Sequence, residues 1–197
     1  MSIEKYKTPD IKNIIPEDVG VFAIETENDM FYDPLYKRIG ISVEILNDYE
    51  EGEISKDSFL SVLHHEIKHH DDRVIARAMH HSIFLITSVL IGYASSYNLL
   101  PYGVIMIVAG ILFLHFATNL VTMWSEMRAD RYSKKMMGLE PICTFYYMPT
   151  NKKVPIYEYL TYSYPAAKHR STWLIGSEKE KETVENIERN WTIEKIE

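Results

Sequence analysis

The chain has 197 residues, enough for one domain with a sizeable core, and carries a formal net charge of −7. That charge argues against nucleic acid as a partner, since its electrostatic footprint on a protein is a basic patch. Cys143 is the only cysteine, which excludes an intramolecular disulfide and a multi-cysteine metal site.

Residues 1–18 are polar and punctuated by proline, and read as an extended N-terminal arm. No apolar signal segment follows the polar start Met1-Ser2-Ile3-Glu4-Lys5, so the N-terminal portion is expected to stay cytoplasmic. Residues 19–24 and 39–46 are rich in β-branched and apolar side chains and predict strands, with Glu27-Asn28-Asp29 and Asp33-Pro34 as turn material between them. Residues 48–53 read as a solvated acidic loop. Ser55 or Asp57 is placed to cap a helix over 57–81, in which Leu60, Leu63, Ile67 and Val74 recur at core-facing spacing.

That helix carries His65-Glu66-Ile67-Lys68-His69. Side chains at i and i+4 lie one above the other on a helix face, so His65 and His69 can offer two nitrogens to one metal ion. A catalytic zinc site has three protein ligands and keeps its fourth position for water. Glu66, beside the first histidine, stands where the general base of such a site lies. Glu126 is the expected third ligand, because Glu126 and Asp130 present two carboxylates on one face of a second predicted helix. Asp130 is suited to accept the free ring N–H of a ligating histidine, fixing its tautomer. Ala129 is small enough for close helix approach. His64 and His70 fall off the ligand stripe and predict polar helix surface or outer contacts, and His80 and His81 predict interfacial positions.

From His81 to Trp124 there is no Asp, Glu, Lys or Arg. Proline and glycine in Asn98-Leu99-Leu100-Pro101-Tyr102-Gly103 mark a turn and divide this block into segments 82–98 and 103–123. At 1.5 Å per residue the second spans a hydrocarbon core of about 30 Å and the first is marginal. The block therefore predicts a transmembrane helical hairpin over 82–123, with Tyr93, Tyr97, Tyr102 and Trp124 as interfacial aromatics. Ser88, Ser95, Ser96, His115, Asn119 and Thr122 favour the alternative, a pair of buried core helices. His115 is a functional candidate by position, with hydrogen-bonded packing as the plainer role. Arg73 and Arg77 before the block, and Arg128, Arg131, Lys134 and Lys135 after it, place both ends on the cytoplasmic side. HExxH and ExxAD then face the same compartment.

Beyond the hairpin the second helix is expected to reach about Met137 and stop at Gly138. Residues 144–162 hold Tyr146, Tyr147, Tyr157, Tyr159 and Tyr162, expected to pack, to touch the membrane surface or to line a cleft. Ser177-Glu178-Lys179-Glu180 has the form of a capping box and starts a charged helix with Val184, Ile187 and Trp191 on one side.

HExxH at 65–69 followed by ExxAD at 126–130 resembles the HtpX and CAAX-prenyl-endopeptidase family of membrane zinc metallopeptidases, with the beta-lactam-sensor metallopeptidases nearer than thermolysin. The resemblance covers roughly residues 19 to 176. It implies an α+β, mainly helical fold with a zincin-like (gluzincin) core, a small β-sheet, and the hairpin inserted between the two motif helices of a single domain over 1–197. Gly40-Ile41-Ser42-Val43 resembles the strand such enzymes hold against an extended substrate, provided its edge is free. His169-Arg170-Ser171-Thr172-Trp173-Leu174-Ile175-Gly176 is similar to the family's late H-P-S-T-x-x-R-I signature and departs from it at Arg170, Ile175 and Gly176. His169 keeps a catalytic position near the oxyanion; the family's arginine has no counterpart at Ile175.

These readings converge on a membrane-embedded endopeptidase with one Zn²⁺ per chain, held by His65, His69 and Glu126, with Glu66 as base. The expected partners are peptide or protein substrates in extended or misfolded segments, and the lipid membrane. The residues before the motif helix supply neither the further spans nor the enclosing chamber of relatives, which points to a minimal enzyme or to one completed by homo-oligomerisation. CAAX processing itself is not expected. The competing class is a non-catalytic zinc-binding membrane sensor or scaffold, which has no use for Glu66 as a base. A metal-storing histidine cluster ranks last, because His115 is the one such ligand within the spans.

Overall fold

The computed structural model describes residues 2–25, 29–96, 102–146 and 167–194, without side chains at 94, 95, 102, 146, 167–169, 172 and 191–194. Its sheet has the order β1-β3-β2, with β1 (Gly20–Ile24) parallel and β2 (Met30–Asp33) antiparallel to the central β3 (Arg38–Ser42). Ile39 and Ile41 point from β3 into the core and are fully buried. On the other face, Gly40 lies under two rings: a Cβ there would stand 2.9 Å from Phe31 and 3.1 Å from Phe22.

Two expectations change here. β2 occupies residues read as part of a connection, because a four-residue strand is too short to show alternation. β3 ends at Ser42 instead of continuing to residue 46. The Ser42 hydroxyl accepts the Ile45 N–H at 3.2 Å and starts α1 (Val43–Glu51), which buries Ile45 and Leu46 completely. The expected acidic loop is mostly the rest of α1, stopped by Gly52 at φ +85°. Since β1 and β2 flank β3, the predicted strand has no free edge for a substrate.

α2 (Lys56–Ser96) begins where Ser55 Oγ accepts the Ser58 N–H at 3.0 Å, so Ser55 and not Asp57 is the cap. Leu60, Leu63 and Ile67 are buried as predicted, but Val74 is 68% exposed; by that turn the helix has left the core. At 41 residues α2 is about 60 Å long. α3 (Tyr102–Met137) runs back along it and ends at Gly138, whose N–H still donates to the Lys134 carbonyl at 2.8 Å while its φ of +93° turns the chain out of the helix. The helices are tied at the domain end by Ser61 and Ser133, with Ser133 Oγ donating to the Ser61 carbonyl at 2.6 Å, and further out by Arg128 on Asp72 at 2.8 Å.

Both helices are long and apolar enough to cross a membrane, and only 6% of the most apolar stretch of each is buried. Phe84, Leu85, Leu112, Phe113 and Phe116 are all more than half exposed, the reverse of what a buried core pair would show. The core is completed by α4 (Leu139–Tyr146), α5 (Ala167–Leu174) and α6 (Glu178–Glu194), which contribute Leu139, Ile142, Cys143, Leu174 and Val184. Ser177 Oγ accepts the Glu180 N–H, and Glu180 reaches back to the Gly176 N–H at 2.6 Å, a capping box displaced by one residue. Tyr97, Tyr147, Tyr157, Tyr159 and Tyr162, and the side chains of Tyr102, Tyr146 and Trp191, lie outside the described residues.

Candidate metal centre

His65 and His69 lie one turn apart on the stripe of α2 that faces α3, and their Nε2 atoms approach to 3.0 Å. Glu126 comes from α3 between them, with Oε2 3.2 Å from His65 Nε2 and Oε1 3.3 Å from His69 Nε2. Glu66 Oε1 is 3.9 Å from His65 Nε2. One ligand atom from each of His65, Glu66 and His69 falls within 4.8 Å of the others. Ala129, fully buried one turn from Glu126, leaves room for the helices to meet.

The outer nitrogens of both histidines are also placed. His65 Nδ1 is 2.8 Å from Asp130 Oδ1, at ion-pair distance though off the line of a good hydrogen bond. His69 Nδ1 is 3.1 Å from Ser125 Oγ. Arg170, buried on α5, donates through Nη2 and Nε to the two Asp130 oxygens at 2.6 and 3.1 Å, and its Nη2 is 3.2 Å from Glu126 Oε2. Sequence reasoning noted Arg170 only as a departure from proline and gave Ser125 no role. The one signal for Arg170 was a basic residue in a late segment whose expected arginine, at Ile175, is missing.

The electrostatics follow from burial opposed by these contacts. Burial works to lower the His65 pKa, but Asp130, Glu126 and the charge of Glu66 raise it to about 10. Burial works to raise Glu126, yet His65, His69 and Arg170 hold it far below the usual carboxylate range. Asp130 is held at about 2 against its burial by the Arg170 charge and by His65. Glu66 is raised, chiefly by burial, with Glu126 and Asp29 adding repulsion against the pull of His65 and His69.

The residues present fit a cation. Glu126 Oε2 is buried and accepts no hydrogen bond, because neither neighbour at 3.2 Å is aimed at it. Two imidazole nitrogens and two carboxylate oxygens thus converge with fewer protons than lone pairs. With both imidazoles neutral, as metal binding requires, three buried carboxylates, Glu66, Glu126 and Asp130, face one guanidinium, so a divalent ion would balance the cluster.

The other histidines stay outside this group. His64 is buried with its ring edge-on to Tyr132, and His70 is buried against Tyr32, whose hydroxyl is 2.9 Å from His70 Nδ1; of the two roles expected, polar helix surface or outer contacts, their burial excludes the first. His80, His81 and His115 line a cavity of about 700 Å³ between α2 and α3, and His115 Nε2 is 3.2 Å from Asn119 Nδ2. The side chain of His169 lies outside the described residues.

A His-Glu-His group on one helix, buried at His65 and Glu66 and partly open at His69, with a carboxylate from an antiparallel neighbour, defines a candidate metallohydrolase centre. The model of peptidase family M48 matches residues 31–149, more than half of the chain, and the chain belongs to that family. The matched span holds HExxH, the hairpin and ExxAD, and ends before the segment of His169 and Arg170. No curated protein and no solved structure proved similar to the chain.

Proposed function

We propose that this M48 protein is a membrane-embedded zinc endopeptidase of the HtpX-like type, with a gluzincin core and the 82–123 hairpin inserted in one domain. The observation that carries the reading is the convergence of His65, His69 and Glu126 within 3.3 Å of one another, with Glu66 beside them. His65, His69 and Glu126 would hold the zinc, which when bound lowers the pKa of a coordinated water and polarises a carbonyl. Glu66, raised by burial, is suited to take a proton from water and deliver it to the leaving amine, since a useful base titrates nearer the working pH than an exposed carboxylate does. Asp130 holds His65 and Ser125 holds His69, so that both rings keep Nε2 turned inward. Arg170 keeps Asp130 ionised. His169 would act near the oxyanion, as the resemblance of its segment to the family's late signature implies.

The substrate is a peptide in extended form. With β3 enclosed, β2 is the strand that packs on α2, and the residue before it, Asp29, raises Glu66 and is itself raised by Glu126. A chain adding there would pass the metal by main-chain pairing. Basic residues flanking the hairpin support a topology with the centre and both termini on the cytoplasmic side.

The test compares metal content and casein cleavage of detergent-purified wild type and Glu66→Gln. Near-stoichiometric zinc in both with cleavage in wild type alone is the expected result. Equal cleavage by the two proteins, or protein that takes up no zinc, overturns the reading; zinc in both with cleavage in neither favours the sensor or scaffold.

A further inference from the structure

The β2–β3 turn presents apolar side chains where the domain meets the hairpin. Leu35 is 75% and Tyr36 65% exposed. They are not loose. Asp33 Oδ1 accepts the N–H groups of both, at 3.0 and 3.3 Å, and the Arg38 guanidinium lies 4.5 Å from the Tyr36 ring centre and 4.4 Å from that of Phe22. Lys37 holds a left-handed φ of 49° while its ammonium pairs with Asp18 at 3.2 Å. A turn fixed at a non-glycine left-handed residue, with two large apolar groups outermost, is a feature that a purely aqueous surface does not require.

Its position gives the occupant. β2 runs beside α2 in the same direction: Tyr32 reaches His70, and the Pro34 carbonyl accepts from Arg77 at 3.4 Å. Between those levels α2 rises about 10 Å over seven residues and the strand advances about 7 Å over two, the long Arg77 side chain covering the difference. Leu35 and Tyr36 therefore continue toward the uncharged stretch beyond Arg77. His81 is about 6 Å further along α2, comparable to the headgroup layer of about 5–7 Å on each side of the hydrocarbon. Val74 and Ile75, also at least half exposed, extend the apolar surface of the spans down to this level, and Arg77 has no carboxylate partner among the described residues.

We propose that the turn of residues 34–37 is a membrane anchor, with Leu35 and Tyr36 seated in the interfacial layer of an anionic bilayer and Arg77 among its headgroups. This rests on the reading that α2 and α3 cross the bilayer. The anchor is a third attachment of the domain to the lipid, on the β2 side, and fixes the height of the metal centre over the membrane. Tyrosine suits that layer because its ring is apolar and its hydroxyl wet.

The full chain is reconstituted in vesicles of phosphatidylcholine and phosphatidylglycerol, with an environment-sensitive fluorophore on one introduced cysteine: Leu35→Cys, Leu112→Cys in the hairpin, or Lys179→Cys on α6. Cys143 is fully buried with its thiol pushed up to about 12, so the introduced thiol reacts. The Leu35 label is expected to be quenched severalfold more by a headgroup-level nitroxide lipid, and severalfold less by iodide, than the Lys179 label. A Leu35 label that behaves like Lys179 while Leu112 is quenched by lipid overturns the anchor and leaves the spans standing. A Leu112 label open to iodide overturns both.

Discussion

Replacing Arg170 by Met tests whether the buried guanidinium holds the centre together. Arg170 is 6% exposed, Asp130 1% and Glu126 4%, and the guanidinium makes two hydrogen bonds to Asp130 besides its contact with Glu126. Methionine keeps much of the volume but removes the guanidinium from two buried carboxylates, leaving the His65 imidazole as their shared partner. Breaking a buried pair on one side costs about 3–5 kcal/mol, and at about 2–4 °C per kcal/mol for a chain of this size the midpoint should fall by about 6–20 °C. The assay is thermal unfolding of the detergent-purified protein with EDTA and with excess zinc. Because the variant centre is more negative, zinc should raise its midpoint by more than it raises that of wild type. Asp130→Asn combined with Arg170→Met should recover part of the loss, since the pair is then neutral on both sides. A midpoint within 2 °C of wild type in EDTA, a small change by that scale, would refute the assignment of Arg170 as the countercharge.

Three further outcomes follow from the same contacts. In metal-free protein the His65 pairing is fully present below its ordinary 6.5 and is lost as pH rises through about 10, while the Asp130 pairing is present above 3.8 and lost as pH falls through about 2; denaturant unfolding in EDTA should therefore show greatest stability between those windows, and a flat profile from 6.5 to 10 would contradict the His65 contacts. Gly110 packs so closely on α2 that a Cβ would stand 2.7 Å from Ile91 Cγ1, so Gly110→Leu should destabilise by about 1–3 kcal/mol, with thermal unfolding showing part of the loss restored by Ile91→Ala. Ser55→Ala should cost about 1 kcal/mol by removal of the cap on α2, measured as a lower midpoint with zinc content unchanged.

Much of the centre was legible in the chain because it is local. HExxH needs only helical periodicity to bring His65 and His69 together, and the cap at Ser55 and the stop at Gly138 are decided within a few residues. The uncharged block likewise announces two long apolar helices whatever they pack against. The sheet was less legible: residues 39–46 favour a strand by composition, but the Ser42 hydroxyl satisfies the Ile45 amide and turns the chain into a helix. Val74 followed the apolar spacing of α2, yet spacing cannot tell where a helix leaves the core.

By itself the sequence determined the stripe of His65 and His69, the two carboxylates of ExxAD on one helix face and the two long apolar helices, because each depends on residues within one helix. Only the tertiary structure decided what surrounds them. The enclosed position of β3, the Ser125 contact to His69 and the reach of Arg170 into the centre all join residues 40 or more positions apart or depend on strand order. Such contacts are set by how elements pack, and a buried charge finds its partner in space, not along the chain.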